Sequence, residues 1–235
     1  MSTPALEVRN LTYSYPDGRQ ALAGVDFHIH PGERVALLGA NGAGKTTLVL
    51  HLNGILRPSG GTVRVAGLDV TDDHLKEIRR RVGLIFQDPD DQLFMPTVRR
   101  DVAFGPANFG VQGADLDRRV AGALEAVGME DAIDRAPHHL SLGERRRVAV
   151  ATVLAMSPEI LVLDEPSSNL DPAGRRELSA MLTTLDITMM LVTHDLAYAR
   201  ELCGRVLIMS RGTIVADGPA EQILGDERLL AENRL

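Results

Sequence analysis

Tryptophan is absent and the other aromatics are scarce, three Tyr and five Phe, so a core of stacked rings is excluded and Leu, Val, Ile, Ala and Met must fill it. A single cysteine, Cys203, excludes an intrachain disulfide, and nothing resembles a zinc cluster, which is what a reducing compartment predicts. No stretch approaches the roughly 18 consecutive apolar residues that span a bilayer. The N-terminal MSTPALEVRNLTY has neither the basic start nor the apolar run of a secretory signal. An excess of basic residues is also missing. The formal net charge is -7, so the average composition gives no support to a protein held by nucleic-acid phosphates, and no nucleic-acid partner is expected. These absences predict a cytosolic protein, or one held at the inner face of a membrane by a partner.

What is present reads as α/β. Five short runs, at 35–38, 82–86, 160–163, 189–192 and 206–209, are apolar at nearly every position, as strands covered on both faces of a parallel sheet must be. Helical patterns lie between some of them. Leu6-Glu7-Val8-Arg9 and Val25-Asp26-Phe27-His28-Ile29 alternate instead, as half-exposed antiparallel strands do. Arg211-Gly212 reads as a hairpin turn between 206–209 and 213–215. Between about 89 and 140 strand character is lost, and Leu116, Val120, Ala123, Leu124 and Val127 fall at helical spacing. This predicts a helical subdomain inserted into a sheet domain.

The sharpest motif is Gly39-Ala40-Asn41-Gly42-Ala43-Gly44-Lys45-Thr46, which fits G-x-x-x-x-G-K-[ST] between a predicted strand and a helix continuing through Thr47. Glycines let the backbone turn tightly and aim its N–H groups at phosphate oxygens. Lys45 adds charge at the β- and γ-phosphates, Thr46 offers a hydroxyl to Mg²⁺, and the helix N-terminus favours anions. The alternative is a glycine-rich turn without a ligand. Further along, a buried strand ends in Asp164-Glu165. One carboxylate suits a metal ligand, Asp164, and the other a base that orients and deprotonates water, Glu165. The alternative is that two acids merely mark the end of a strand.

Beyond this point the sequence resembles the ATP-binding-cassette (ABC) ATPases. Leu140-Ser141-Leu142-Gly143-Glu144 is similar to the family's LSGGQ signature, and Ser168-Asn169-Leu170-Asp171 to its D-loop. His194 resembles the switch histidine, Gln87 the Q-loop glutamine, and Tyr15 the aromatic that stacks on adenine. The resemblance covers nearly the whole chain in the right order. It implies a P-loop NTPase domain with a mixed, mainly parallel core sheet, an antiparallel N-terminal β-subdomain and an inserted helical subdomain. That is one domain over 1–235, with 1–88 and 141–235 as core and about 89–140 as helical subdomain. It further implies ATP and Mg²⁺, the latter held by Thr46, Asp164 and Gln87. In such proteins the signature of one subunit faces the phosphate loop of another, so Ser141 and Gly143 would act on ATP bound by a second ABC subunit, identical or paralogous, and Asp171 of the D-loop is a further nucleotide-binding candidate. Gly39 to Thr46, Gln87, Asp164, Glu165 and His194 would act in cis.

Each match has a structural alternative. Ser141-x-x-Glu144 before an apolar-periodic run is also a helix capping box, and Asp171-Pro172 is also an N-cap with proline at N1. Two residues depart from the family pattern: Leu142 replaces a glycine and Glu144 a glutamine, which adds bulk and negative charge near the nucleotide.

The run Phe86-Gln87-Asp88-Pro89-Asp90-Asp91-Gln92-Leu93-Phe94, continued by Thr97-Val98 and by residues 101–106, resembles ATPases of energy-coupling-factor transporters of the cobalt and nickel type. This implies integral membrane subunits docking on residues 87–106, with Phe94 and Phe104 as contacts, and a peripheral place at the cytoplasmic membrane face. The cargo, metal ion or vitamin, rests on subgroup resemblance alone. His28, His30, His138 and His139 lack acidic or Cys companions and are assigned no metal. Since little sequence follows Asp217-Gly218, no long C-terminal dimerisation domain is expected. A soluble ABC ATPase of repair or translation would need a coiled-coil insertion or a second cassette. A P-loop kinase would leave the signature and His194 unexplained, and an inactive scaffold is opposed by Lys45 and Glu165.

Overall fold

The structure, a computed structural model, describes residues 3–235, so the start of the N-terminal segment read above lies outside it. In chain order the strands are β1 (Leu6–Ser14), β2 (Gln20–Ile29), β3 (Arg34–Leu38), β4 (Gly60–Val65), β5 (Leu68–Asp69), β6 (Val82–Ile85), β7 (Ile160–Asp164), β8 (Thr188–Val192), β9 (Arg205–Ser210) and β10 (Thr213–Pro219). The helices are α1 (Lys45–Leu52), α2 (Leu75–Arg81), α3 (Val98–Asn108), α4 (Gly113–Ala126), α5 (Leu142–Leu154), α6 (Pro172–Thr184), α7 (Leu196–Leu202), α8 (Ala220–Gly225) and α9 (Glu227–Glu232). They form two compact units: one of residues up to 82 with 159–165 and 186–235, the other of 83–158 and 166–185.

In the first unit β9, β3, β8 and β7 lie side by side and parallel. Every residue of β7 and of β8 is buried, which is why these strands read as unbroken apolar runs. β10 closes the β9 edge antiparallel through the expected hairpin, with Arg211 at φ 49° and Gly212 at φ 80°. Positive φ at both central residues is what a tight two-residue hairpin needs to match strand twist. A second, antiparallel sheet runs β2-β1-β4-β5. Along β2 it buries Leu22, Val25, Phe27 and Ile29, the alternation expected of a half-covered strand. The two sheets meet where Ala23 N–H donates to Gly212 O at 2.8 Å. Cys203 is buried at the end of α7, and burial pushes its thiol up to about 12.

The second unit is helical. α4 buries Val120, Ala123 and Leu124, with Val127 just past its end, while Leu116 is only partly covered. The segment 89–140 falls wholly inside this unit, which also takes in α5 and α6. β6 stops at Ile85, one residue short of the apolar run, because the Phe86 N–H donates to the Gln92 side chain at 3.3 Å.

Two outcomes follow. A Cβ built on Gly83 would sit 2.0 Å from Val153 Cγ1, and a stiff β-branched neighbour has little room to yield. Gly83→Ala is expected to lower unfolding free energy by about 1–3 kcal/mol, read by urea denaturation. In α2, hydrogen bonds from Arg80 and Arg81 hold the Glu77 carboxyl at about 2. Because its folded value is depressed, its stabilisation is complete above the ordinary carboxyl range and fades as pH falls toward 2. Solvent screening keeps it to a few tenths of a kcal/mol, roughly. Glu77→Gln is therefore expected to lower the melting temperature slightly at pH 7, by a margin that shrinks at pH 3.

Candidate phosphate-binding and signature sites

The phosphate loop sits between β3 and α1 and is shaped by close backbone approach. Gly44, the residue before α1, has φ +108°, and a Cβ there would lie 2.6 Å from Ala21 O. A Cβ on Gly39 would lie 2.3 Å from Met209 O. Only glycine lets the loop pass β2 and β9 this closely. Gly212 N–H donates to Ala43 O at 2.9 Å, so the β9–β10 turn braces the loop from behind. Lys45 Nζ donates to Gly39 O at 2.6 Å and Ala40 O at 3.3 Å, with its carbon stem buried. Burial pulls its pKa down, while the nearby Glu165 and Asp164 charges push it back up.

Asn41 and Gly42 are exposed at the loop's tip and Thr47 is buried behind it. Tyr15 Oη and Thr47 Oγ1 share a 2.8 Å hydrogen bond, and the Arg19 guanidinium lies 4.8 Å from the centre of the Tyr15 ring. One turn further along α1 the buried His51 bonds Thr47 O through Nδ1 at 2.7 Å and packs edge-to-face on Tyr13, which in turn packs on Tyr15. Burial holds the His51 pKa below its ordinary value, so this ring is a neutral packing element.

β7 delivers the two acids beside the loop. Thr46 Oγ1 donates to Asp164 Oδ2 at 3.0 Å. Burial raises the Asp164 pKa, the Thr46 hydroxyl opposes this, and the Glu165 charge adds to it. A hydroxyl beside a desolvated carboxylate is a donor set suited to Mg²⁺, whose charge would favour the ionised acid. Glu165 has φ 48°, a left-handed backbone unusual for a side chain of its size, anchored by its N–H to Val192 O at 2.8 Å. Its two carboxylate oxygens are engaged separately, Oε1 with His194 Nδ1 at 2.9 Å and Oε2 with Thr193 Oγ1 at 3.2 Å.

Tyr15, Gly39 to Thr47, Asp164, Glu165 and His194 thus belong to the first unit, and Gln87, Ser141, Gly143 and Asp171 to the second. In the second unit Ser141, Leu142, Gly143, Asn169, Leu170 and Asp171 line one groove. Two helix N-termini open there. Ser141 Oγ accepts Glu144 N–H at 3.3 Å and Glu144 Oε2 accepts Ser141 N–H at 2.7 Å, a complete capping box on α5. Asp171 Oδ1 accepts Gly174 N–H at 2.7 Å, capping α6 with Pro172 behind it. The capping alternatives are therefore real, in a groove that Glu144, Arg147 and Glu177 also line.

The contacts that several residues make here were invisible to motif reasoning. Gln92 accepts Phe86 N–H and donates to Ala149 O at 2.9 Å and Thr152 Oγ1 at 2.8 Å, joining the base of the Gln87 loop to α5. Arg146, buried, donates to Ser168 O at 2.6 Å, and its neighbours Arg145 and Arg147 pair with Asp90 at 3.2 Å and Glu177 at 3.4 Å. Asp101, 3% exposed, accepts the N–H groups of Phe94 and Met95, both at 3.0 Å. That bond fixes the loop that displays Phe94, which meets Phe104 edge-to-face with centroids 5.0 Å apart. Both rings are exposed, at 61% and 42%.

The ABC transporter family model matches residues 22–168. This chain belongs to the ABC transporter ATPases. An energy-coupling factor transporter ATP-binding protein, EcfA, of Methanothermobacter thermautotrophicus is 49% identical over 230 residues, 96% of this chain and 74% of that protein. The structure is similar to cbiO1 of Clostridium perfringens, part of the ABC transporter complex cbiONQ, with TM-score 0.87 and 37% identity over 98% of this chain and 94% of that one. It is also similar to the ATP-binding cassette MJ0796, solved as a dimer in a post-hydrolysis state with ADP and Pi, at TM-score 0.80 and 28% identity over 92% and 98%. The chain is thus an ATPase subunit of the transporter type, and its α/β cassette fold is the one its motifs predict. Among the described residues no helix is long and apolar enough to cross a membrane.

Removing only the Thr46 hydroxyl tests the pairing with Asp164. Thr46→Val is expected to weaken Mg·ATP binding by about tenfold or more while leaving Mg-free ATP binding within about twofold, by calorimetric titration with and without EDTA.

Proposed function

We propose that this protein hydrolyses ATP as the peripheral, cytoplasmic-face ATPase of an uptake transporter of the energy-coupling-factor type, with cobalt or nickel ions or a vitamin as cargo. The observation that carries the hydrolytic part is the doubly anchored Glu165 next to the Thr46–Asp164 pair. His194 and Thr193 hold the two carboxylate oxygens in fixed directions, which prepares Glu165 to orient a water and take its proton. Lys45, Thr46 and the loop N–H groups receive the phosphates, and Tyr15 takes adenine on the face away from Arg19. Thr46 and Asp164 would hold Mg²⁺, which would supply charge neutralisation on the β- and γ-phosphates.

The groove joining Ser141, Gly143 and Asp171 supports an ATP sandwich with a second ABC subunit, identical or paralogous, as does the dimeric cassette this fold resembles. The transporter assignment is supported by the relative named EcfA and by the cbiONQ component, and the displayed Phe94–Phe104 pair within 87–106 offers membrane subunits an apolar contact.

Glu165→Gln is expected to retain Mg·ATP, shift the protein to a dimer on size-exclusion with ATP, and lose turnover by about a hundredfold or more. Wild-type turnover should rise faster than linearly with protein concentration. Undiminished turnover in the variant would remove Glu165 as the base.

A further inference from the structure

The signature turn carries a charge problem of its own making. Glu144 stands in the first turn of α5, its Oε2 bonded to the backbone N–H of Ser141. That bond, the Ser141 side chain, and the Arg135 and Arg147 charges hold its carboxyl below the usual carboxylate range. A full negative charge thus stays beside the serine that faces phosphate, against a helix N-terminus worth only about half a positive charge. Left alone, this carboxylate repels any phosphoryl oxygen arriving at Ser141.

Arg135 sits where it answers that charge. Its guanidinium donates to His139 O at 2.7 Å through Nη2, and Nη1 lies 3.4 Å from Glu144 Oε1. Its backbone is pinned on both sides: its N–H donates to Ala132 O at 2.9 Å, and its carbonyl accepts Val98 N–H at 3.0 Å at the start of α3. The bond to the His139 carbonyl aims the guanidinium at the signature turn, unlike a freely rotating surface arginine. The residue thereby links the start of α3, through its backbone carbonyl, to the cap of α5, through its guanidinium. As an isolated ion pair on the surface it contributes little to folding, so its position calls for a role other than stability.

We propose that Arg135 is a positioning residue for ATP hydrolysis, neutralising and aiming the Glu144 carboxylate so that the turn bearing Ser141 accepts a phosphoryl group. This rests on the reading above in which Ser141 acts on nucleotide bound by the partner subunit. It also makes Glu144 and Arg135 one functional pair: glutamate at this position works because the arginine is there, and a neutral glutamine would not need it.

The test is a double-mutant cycle in steady-state Mg·ATP turnover of the full chain, with Ser141→Ala alongside. Arg135→Ala is expected to lower kcat about tenfold in the wild-type background, and Arg135→Lys to restore most of it. In a Glu144→Gln background, adding Arg135→Ala should change kcat by less than about twofold. The wild-type defect should also shrink as ionic strength rises, since salt screens the unbalanced carboxylate. If Arg135→Ala lowers the melting temperature, Arg135→Gln keeps a donor for His139 O and takes its place in the same cycle. Equal losses in both backgrounds would overturn the proposal, as would an undiminished single variant. Undiminished turnover in Ser141→Ala would instead remove the signature reading beneath it, and that result is separable because it does not involve Arg135.

Discussion

The site depends first on backbone meeting backbone. The phosphate loop keeps its shape because Gly39 and Gly44 press against the carbonyls of Met209 and Ala21 and because Gly212 donates to Ala43 O. The nearest group at each glycine is a backbone carbonyl, so the loop is braced by two strands and a hairpin turn. α1 starts where the loop ends, Thr46 meets Asp164 because β3 and β7 flank β8 in register, and Glu165 reaches His194 because its own N–H is tied to Val192. A hairpin remote in sequence from the nucleotide motifs therefore belongs to the nucleotide site.

Much of this was legible in the residues alone, for reasons that differ from case to case. Strands covered on both faces must be apolar throughout, so β3, β7, β8 and β9 announced themselves. The phosphate loop did too, because close approach and positive φ admit so few residue types. The capping box at Ser141 and the N-cap at Asp171 are local, spanning three residues, and short-range hydrogen bonds leave their mark on short sequence windows. What stayed hidden is long-range and side-chain-specific. Gln92 was in plain view inside a recognisable run, but its partners Ala149 and Thr152 lie 57 and 60 residues away. The stop of β6 at Ile85 is a consequence of that same side chain, and no periodicity argument contains it. Arg19 over Tyr15 and His51 beneath Thr47 were missed likewise, since an exposed arginine and a buried histidine carry no pattern.

The two departures from the family signature now have different standing. Glu144 is accommodated: it completes a cap and meets an arginine. Leu142 lines the signature groove together with Leu170, and also the pocket lined by Gln87 and Asp90, and nothing in the structure explains its replacing a glycine.

The run Arg145-Arg146-Arg147 on α5 has a geometric corollary. An α-helix advances about 100° per residue, so three consecutive side chains point to three different sides. Here they reach the turn at Asp90, the carbonyl of Ser168 and the carboxylate of Glu177. With three spokes fixed at such angles the helix resembles a keyed axle: it cannot roll about its own axis without breaking several bonds together.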